Sequence, residues 1–92
     1  MKVDKRIISD SINHYGVNLQ TTVCMEECAE LIQAISKAKR GKLDKENMME
    51  EIADVLICIE MLKQIYNISD CSIENWIKRK QERMLRRMED RV

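Results

Sequence analysis

Apolar residues recur along this chain at intervals of three or four positions, in segments separated by short polar breaks. This spacing predicts amphipathic α-helices, because it places the apolar side chains on one face of each helix. The expected elements are a short helix over residues 3–14, longer helices over about 18–40 and 45–66, and a fourth helix that reaches nearly to Val92. The chain contains no proline and two glycines, which agrees with an all-α fold.

The polar breaks carry residues that are typical of helix ends. Gly16 is expected to end the first helix and Gly41 to follow the second, since glycine readily adopts the backbone conformation found just beyond a helix C-terminus. Asp44 can cap the third helix, and Ser69 or Ser72 the fourth. The short break at residues 41–44 predicts that the second and third helices form an antiparallel αα-hairpin.

The inward apolar stripes predicted for these central helices include Leu19 on the second and Ile59 on the third. Two pairs of acidic residues interrupt these stripes. The pairs are Glu27 with Glu30 and Glu51 with Asp54. Residues three apart are neighbours on one helix face. In this chain, which is 35% charged, acids such as Glu60 and Glu74 have a basic residue one turn away. These four acids, and the adjacent Glu26 and Glu50, have none. Their missing partners indicate that a cation is supplied from elsewhere.

The hairpin would bring the two acidic pairs together. The turn lies at a similar distance from both pairs, so its two arms place the four carboxylates opposite one another. Four like charges at a helix interface are unfavourable alone, whereas hard oxygen ligands suit Mg²⁺, with Mn²⁺ as an alternative. The residues themselves therefore predict a divalent metal site.

Length and composition limit the number of domains, the partners and the location that can be expected for this protein. A chain of 92 residues predicts one domain, 1–92, whose small core makes self-association the default expectation. Its net charge of zero gives no global field for nucleic acid. No apolar run approaches signal-peptide or membrane-spanning length, so a cytoplasmic protein without a membrane partner is expected. The four cysteines lack zinc-site spacing and are expected to be small buried residues.

The acidic motifs and their flanks resemble the MazG-like family of all-α nucleoside triphosphate pyrophosphohydrolases. Residues 26–31 match the form E-E-x-x-E-L, and residues 50–56 match E-E-I-x-D-V-L. The lead-in at residues 15–20 and the basic pattern of the last helix are also similar, so the resemblance covers about residues 14–88. It implies a four-helix bundle whose central antiparallel pair carries the acidic motifs. The superfamily's phosphoribosyl-ATP branch typically has a histidine after the second acidic pair, and its absence here disfavours that branch.

The resemblance also implies an activity and residue roles. The activity is Mg²⁺-dependent cleavage of a nucleoside triphosphate at the α–β bond to a monophosphate and pyrophosphate, by a homodimer or homotetramer whose sites are often completed across the subunit interface. The implied residues are Glu27, Glu30, Glu51 and Asp54 as metal ligands, Glu26 and Glu50 as outer-shell groups or extra ligands, Lys80, Arg83 and Arg87 at the phosphates, and Gln20 near the base or sugar. The resemblance does not assign the residue that acts as general base, nor the nucleobase and sugar of the substrate.

Three other interpretations fit parts of the pattern. A di-iron carboxylate bundle would need a histidine three residues after a glutamate, and no glutamate here has one. A self-associating interaction or regulatory module would explain seven methionines, but not the matched acids. Nucleic-acid binding through the basic residues 78–91 is opposed by the zero net charge and by interleaved acids.

Overall fold

The computed structural model describes residues 1–90, which form four α-helices and no strand. The helices are α1 (Lys5–Tyr15), α2 (Val17–Lys39), α3 (Lys45–Ile65) and α4 (Asp70–Asp90). The predicted all-α fold with four helices is confirmed. The last two residues of the predicted fourth helix and of the predicted domain, 91 and 92, lie outside the described residues. Within residues 1–90, no helix is both long enough and apolar enough to cross a membrane.

Local hydrogen bonds form the predicted helix ends. The Oδ1 atom of Asp44 accepts a hydrogen bond from a backbone N–H in the first turn of α3 at 3.1 Å. Of the two serines proposed for α4, Ser69 is the cap, because its Oγ accepts a hydrogen bond from the backbone N–H of Ser72 at 3.2 Å. Gly16 and Gly41 have φ values of 86° and 78°, a region that strongly favours glycine.

Helices α2 and α3 form the antiparallel hairpin, and α1 packs against both. A small apolar core lies where the three helices meet. Its buried residues are Ile8, Cys24, Cys58 and Met61. The expectation of buried cysteines is thus confirmed for two of them, whereas Cys28 and Cys71 are exposed. A core of this size leaves much apolar surface uncovered, as expected for a short chain.

The buried faces of α2 and α3 follow most of the predicted apolar stripes, with exceptions on each helix. On α2, Gln20 and Cys24 are buried, while Leu19, predicted to point inward, is 48% exposed. On α3, Met61 is buried, while Ile59 is 44% exposed. The prediction was wrong for Leu19 and Ile59 because apolar residues lie on more than one side of each helix. The exposed apolar side remains available for contact with another molecule.

Among the residues that the structure describes, helix α4 contacts the other helices only through its first turn. Over the described residues its body packs against none of them. Asp70, in its first turn, is ion-paired with Lys5 and Lys63. Its apolar side stays open, with Trp76 53% and Met88 62% exposed. The radius of gyration is therefore 16.1 Å, compared with about 12 Å for a compact chain of this length.

Candidate metal centre

The hairpin brings the four acidic residues of the two motifs to one place. Glu27 and Glu30 lie one turn apart on α2, and Glu51 and Asp54 lie one turn apart on α3. One carboxylate oxygen from each of the four residues lies within 4.8 Å of the corresponding oxygens of the others. We call these four residues the acidic cluster. Its oxygen atoms are close enough together to contact a single small cation.

The acidic cluster is partly shielded from water. Glu51 is 8% exposed, Glu27 and Asp54 are half-buried, and Glu30 is exposed. The Oε2 atoms of Glu27 and Glu51 are buried and have no hydrogen-bond partner among residues 1–90. Buried carboxylate oxygens normally have a donor or a cation beside them. The two unpartnered oxygens are therefore the structural observation that best fits a bound cation.

Crowding of carboxyl groups changes the protonation of the acidic cluster. A hydrogen bond with Asp54 is the main reason that the pKa of Glu27 rises to about 7, and burial and the charges of Asp54, Glu30 and Glu51 add to it. Burial is the main cause that raises the pKa of Glu51, followed by the charge of Glu30. Carboxyl groups that share a site retain a proton when no cation offsets their charge. Near neutral pH, a divalent cation would have to displace this proton.

Cys24 and Cys58 lie one helical turn from residues of the acidic cluster and belong to the apolar core. The Cys24 thiol lies 3.9 Å from the carbonyl oxygen of Cys58 and 3.9 Å from the Sδ of Met61. Burial is the main cause that raises the pKa of the Cys58 thiol to about 12. Only the thiolate form binds metals well. Cys58 therefore stays neutral and packs as an apolar residue, and the oxygen atoms remain the natural cation ligands.

Three further predicted site residues lie outside the acidic cluster. Glu26 and Glu50 are exposed and do not belong to the group of four converging oxygens. Gln20 is 5% exposed, and its Oε1 accepts a hydrogen bond from the Ser11 hydroxyl at 3.4 Å, which joins α2 to α1. Gln20 would have to leave this contact in order to reach a ligand.

The basic residues of α4 also lie away from the acidic cluster of their own chain. Lys80, Arg83 and Arg87 are exposed, and α4 packs against neither helix of the hairpin within the described part of the chain. One basic residue with a structural role was undervalued by sequence reasoning. Lys63 pairs with Glu60, as its spacing suggests, but it also pairs with Asp70 across the helix break. Helical periodicity carries no signal for a contact between two different helices.

Comparison with known protein families agrees with this site. The family described as MazG nucleotide pyrophosphohydrolase domain matches residues 17–92, which include both acidic pairs and α4. No curated protein and no solved structure was found to match the chain. The family match covers most of the sequence, including the whole hairpin. The chain therefore belongs to the MazG nucleotide pyrophosphohydrolase domain family.

Proposed function

We propose that this protein is a Mg²⁺-dependent nucleoside triphosphate pyrophosphohydrolase, which cleaves the α–β bond of a ribo- or deoxynucleoside triphosphate to release a monophosphate and pyrophosphate. Family membership supports nucleotide pyrophosphohydrolase activity. The observation that carries the proposal for this chain is the acidic cluster, with oxygens within 4.8 Å of one another and two buried oxygens that lack a hydrogen-bond partner in the described part of the chain. An all-oxygen donor set favours Mg²⁺, with Mn²⁺ as the alternative.

In this proposal the acidic cluster holds the metal, with Glu27, Glu30, Glu51 and Asp54 as ligands. A divalent cation held there would offset the charge of the phosphates and lower the pKa of the attacking water. The two packed helices hold the carboxylates at fixed positions before substrate arrives, which lowers the cost of organising the site. Glu26 and Glu50 are proposed as outer-shell groups. No residue is assigned as the general base.

The basic residues of α4 are proposed to bind the phosphates. Lys80, Arg83 and Arg87 are spaced by three and four positions, so they share one side of the helix and could contact successive phosphates. Because α4 does not pack on its own hairpin within residues 1–90, we propose that these residues serve the acidic cluster of a second copy of the chain. Gln20 is proposed to contact the base or sugar.

The exposed surface supports association with a second copy. The chain exposes 7692 Å², whereas a compact monomer of its mass would expose about 5,600 Å². The excess is well above the roughly 800 Å² that each partner contributes to a typical stable interface. A homodimer or a homotetramer would cover it.

The uncovered surface is apolar on both the hairpin and α4. One open groove on the hairpin is lined by residues that include Met25 and Ile32, and another by residues that include Ile52. On α4, Ile77 and Met84 are 50% and 56% exposed. Positions 77, 80, 84 and 87 share a helix face. A second copy that covers the apolar side of α4 would therefore also meet its basic residues.

A non-catalytic, self-associating module is the alternative function. It would use the same apolar surfaces, but it gives no reason for buried carboxylate oxygens without partners at the centre of the hairpin. Catalysis and association therefore have separate structural support.

Pyrophosphate release from a panel of canonical and modified nucleoside triphosphates, with and without Mg²⁺, tests the proposal. Wild-type protein should release pyrophosphate only with the metal. Glu51→Gln should remain folded and lose activity, whereas Glu46→Gln, which alters an exposed acid at the start of α3, should retain it. Full activity of Glu51→Gln would contradict the ligand assignment. No release by the wild type, together with no thermal stabilisation by Mg²⁺, would favour the non-catalytic module.

A further inference from the structure

Lys63 occupies the junction between α3 and α4. Its Nζ donates a hydrogen bond to Oε1 of Glu60 at 2.7 Å and forms an ion pair with Asp70, the first residue of α4. The Lys63 side chain is 17% exposed, so this cation is largely enclosed by the groups that it binds. On the other side of Asp70, the Nζ of Lys5 lies 3.8 Å from Oδ2. Helices α1, α3 and α4 therefore meet at one carboxylate.

The backbone of the same junction also depends on Lys63. Asn67 has a φ of 53°, in the left-handed region. The N–H of Ile68 donates a hydrogen bond to the carbonyl oxygen of Lys63 at 2.9 Å, which closes the end of α3. Ser69 then caps α4. Lys63 thus ends one helix through its carbonyl group and holds the next through its ammonium group.

Beyond this junction, α4 has no packing contact with the other described helices. Its 21 residues form a rod about 30 Å long. Arg87 lies about 25 Å along this rod from Asp70, so a rotation of about 10° at the first turn would move it by about 4 Å. A displacement of about 1 Å can already reduce a reaction rate on the order of a hundredfold. The angle at which α4 leaves the hairpin therefore decides where its basic residues lie.

We propose that Lys63 is a positioning residue, whose ion pairs with Glu60 and Asp70 fix the direction of α4 and thereby place its basic residues. The expected effect of Lys63 on catalysis rests on the proposed function, in which α4 contacts the phosphates. The expected effect of Lys63 on the direction of α4 does not depend on that function. Hydrogen bonding to Asp70 is the main cause that raises the pKa of Lys63, and the same bond lowers the pKa of Asp70. Both groups therefore remain charged around neutral pH.

Such a role differs from simple stabilisation of the fold. Asp70 is 54% exposed, so water screens its ion pair with Lys63. Such a pair contributes little to the free energy of unfolding, because ordering the two side chains also costs entropy. Loss of the Lys63 charge should therefore leave the melting temperature almost unchanged. Its effect should appear in the motion of α4 and in substrate affinity.

Trp76 provides a probe of that motion in the full-length protein. It is the only tryptophan of the chain and lies near the start of α4. Time-resolved fluorescence anisotropy of Trp76 measures rotation of the helix. A rigid helix rotates through the same angle at every position, so Trp76 also reports the rotation at Arg87. Lys63→Gln removes the charge, Lys63→Arg keeps it, and Lys39→Gln removes an exposed lysine from the last turn of α2 as a matched control.

Lys63→Gln, added to Met84→Asp so that a second copy does not cover α4, should add a fast segmental decay to the Trp76 anisotropy. In the wild-type background it should raise KM for the triphosphate by about tenfold, as expected when a charge-assisted hydrogen bond is weakened. Lys63→Arg and Lys39→Gln should behave as the wild type. If Lys63→Gln leaves the anisotropy of Met84→Asp unchanged, the proposal is overturned, because the turn alone would then hold α4.

A third result separates this proposal from the proposed function. If Lys63→Gln changes the anisotropy but not KM, and Lys80→Ala also leaves KM unchanged, the positioning role of Lys63 stands. The phosphate contacts of α4 are then the part that fails.

Discussion

Metal binding by the acidic cluster should release a proton, and the structure sets the size of the effect. The pKa of Glu27 is raised to about 7, mainly by its hydrogen bond with Asp54. A divalent cation needs the ionised carboxylate, so it competes with this proton. A site that must lose one proton with such a pKa binds metal about tenfold more weakly at about pH 6 than at about pH 8. The raised pKa of Glu51 acts in the same direction.

Isothermal titration calorimetry with Mg²⁺ or Mn²⁺, without nucleotide, measures this coupling. Titrations near neutral pH in buffers of different ionisation enthalpy give the number of protons released, which should be about one half from Glu27 when the pH equals its pKa. Glu27→Gln should reduce that release, whereas Glu46→Gln should leave it intact. Equal metal affinity at the two pH values, with no proton released, would refute the reasoning.

Three further predictions follow from the same structure. A raised carboxyl pKa means that the folded state binds more protons than the unfolded chain, so the metal-free protein should lose stability as the pH rises from about 4.5 to about 7. Thermal melts followed by circular dichroism should show this loss, and Glu27→Gln should make the loss smaller. Lys80→Ala should raise KM by about tenfold or more with a smaller change in kcat, as expected for a lost charge-assisted hydrogen bond, while Arg6→Ala on α1 should leave steady-state kinetics unchanged. Met84→Asp should shift the protein toward monomer in analytical ultracentrifugation, because it buries a charge in the proposed interface, whereas Asn75→Asp, on the opposite side of α4, should not; an unchanged assembly in Met84→Asp would remove that face from the interface.

The helices and the meeting of the acidic pairs could be predicted from the sequence because both depend on local spacing. The helix ends follow from residues such as Asp44 and Gly41, whose preferences act within one turn. The four carboxylates meet because a short turn joins two arms of similar length. Neither inference needs knowledge of how the helices pack in detail.

Other features depend on contacts that spacing does not encode. Gln20 is buried and Leu19 is half-exposed, because the rotation of α2 is decided by the fit of three helices together. The detached position of α4 could not be predicted, since an amphipathic helix has the same pattern whether it packs on its own chain or on another. The pairing of Lys63 with Asp70 arises only once the turn after α3 is formed.

The small core and the acidic cluster both make the stability of the folded protein depend on its proposed ligands. The buried Oε2 atoms of Glu27 and Glu51, which have no hydrogen-bond partner among residues 1–90, destabilise the folded protein when no metal is bound. Cation binding and association with a second copy would each stabilise the folded state by mass action. We therefore expect the protein to be most stable under the conditions in which the proposed site is complete.

The central claim is hydrolysis at the α-phosphorus, and product analysis in ¹⁸O-labelled water tests it most directly. With Mg²⁺ and a nucleoside triphosphate that the protein accepts, mass spectrometry should find nucleoside monophosphate that carries the label and unlabelled pyrophosphate. Glu51→Gln should yield neither product. Nucleoside diphosphate with labelled phosphate, or label in the pyrophosphate, would contradict the proposed reaction.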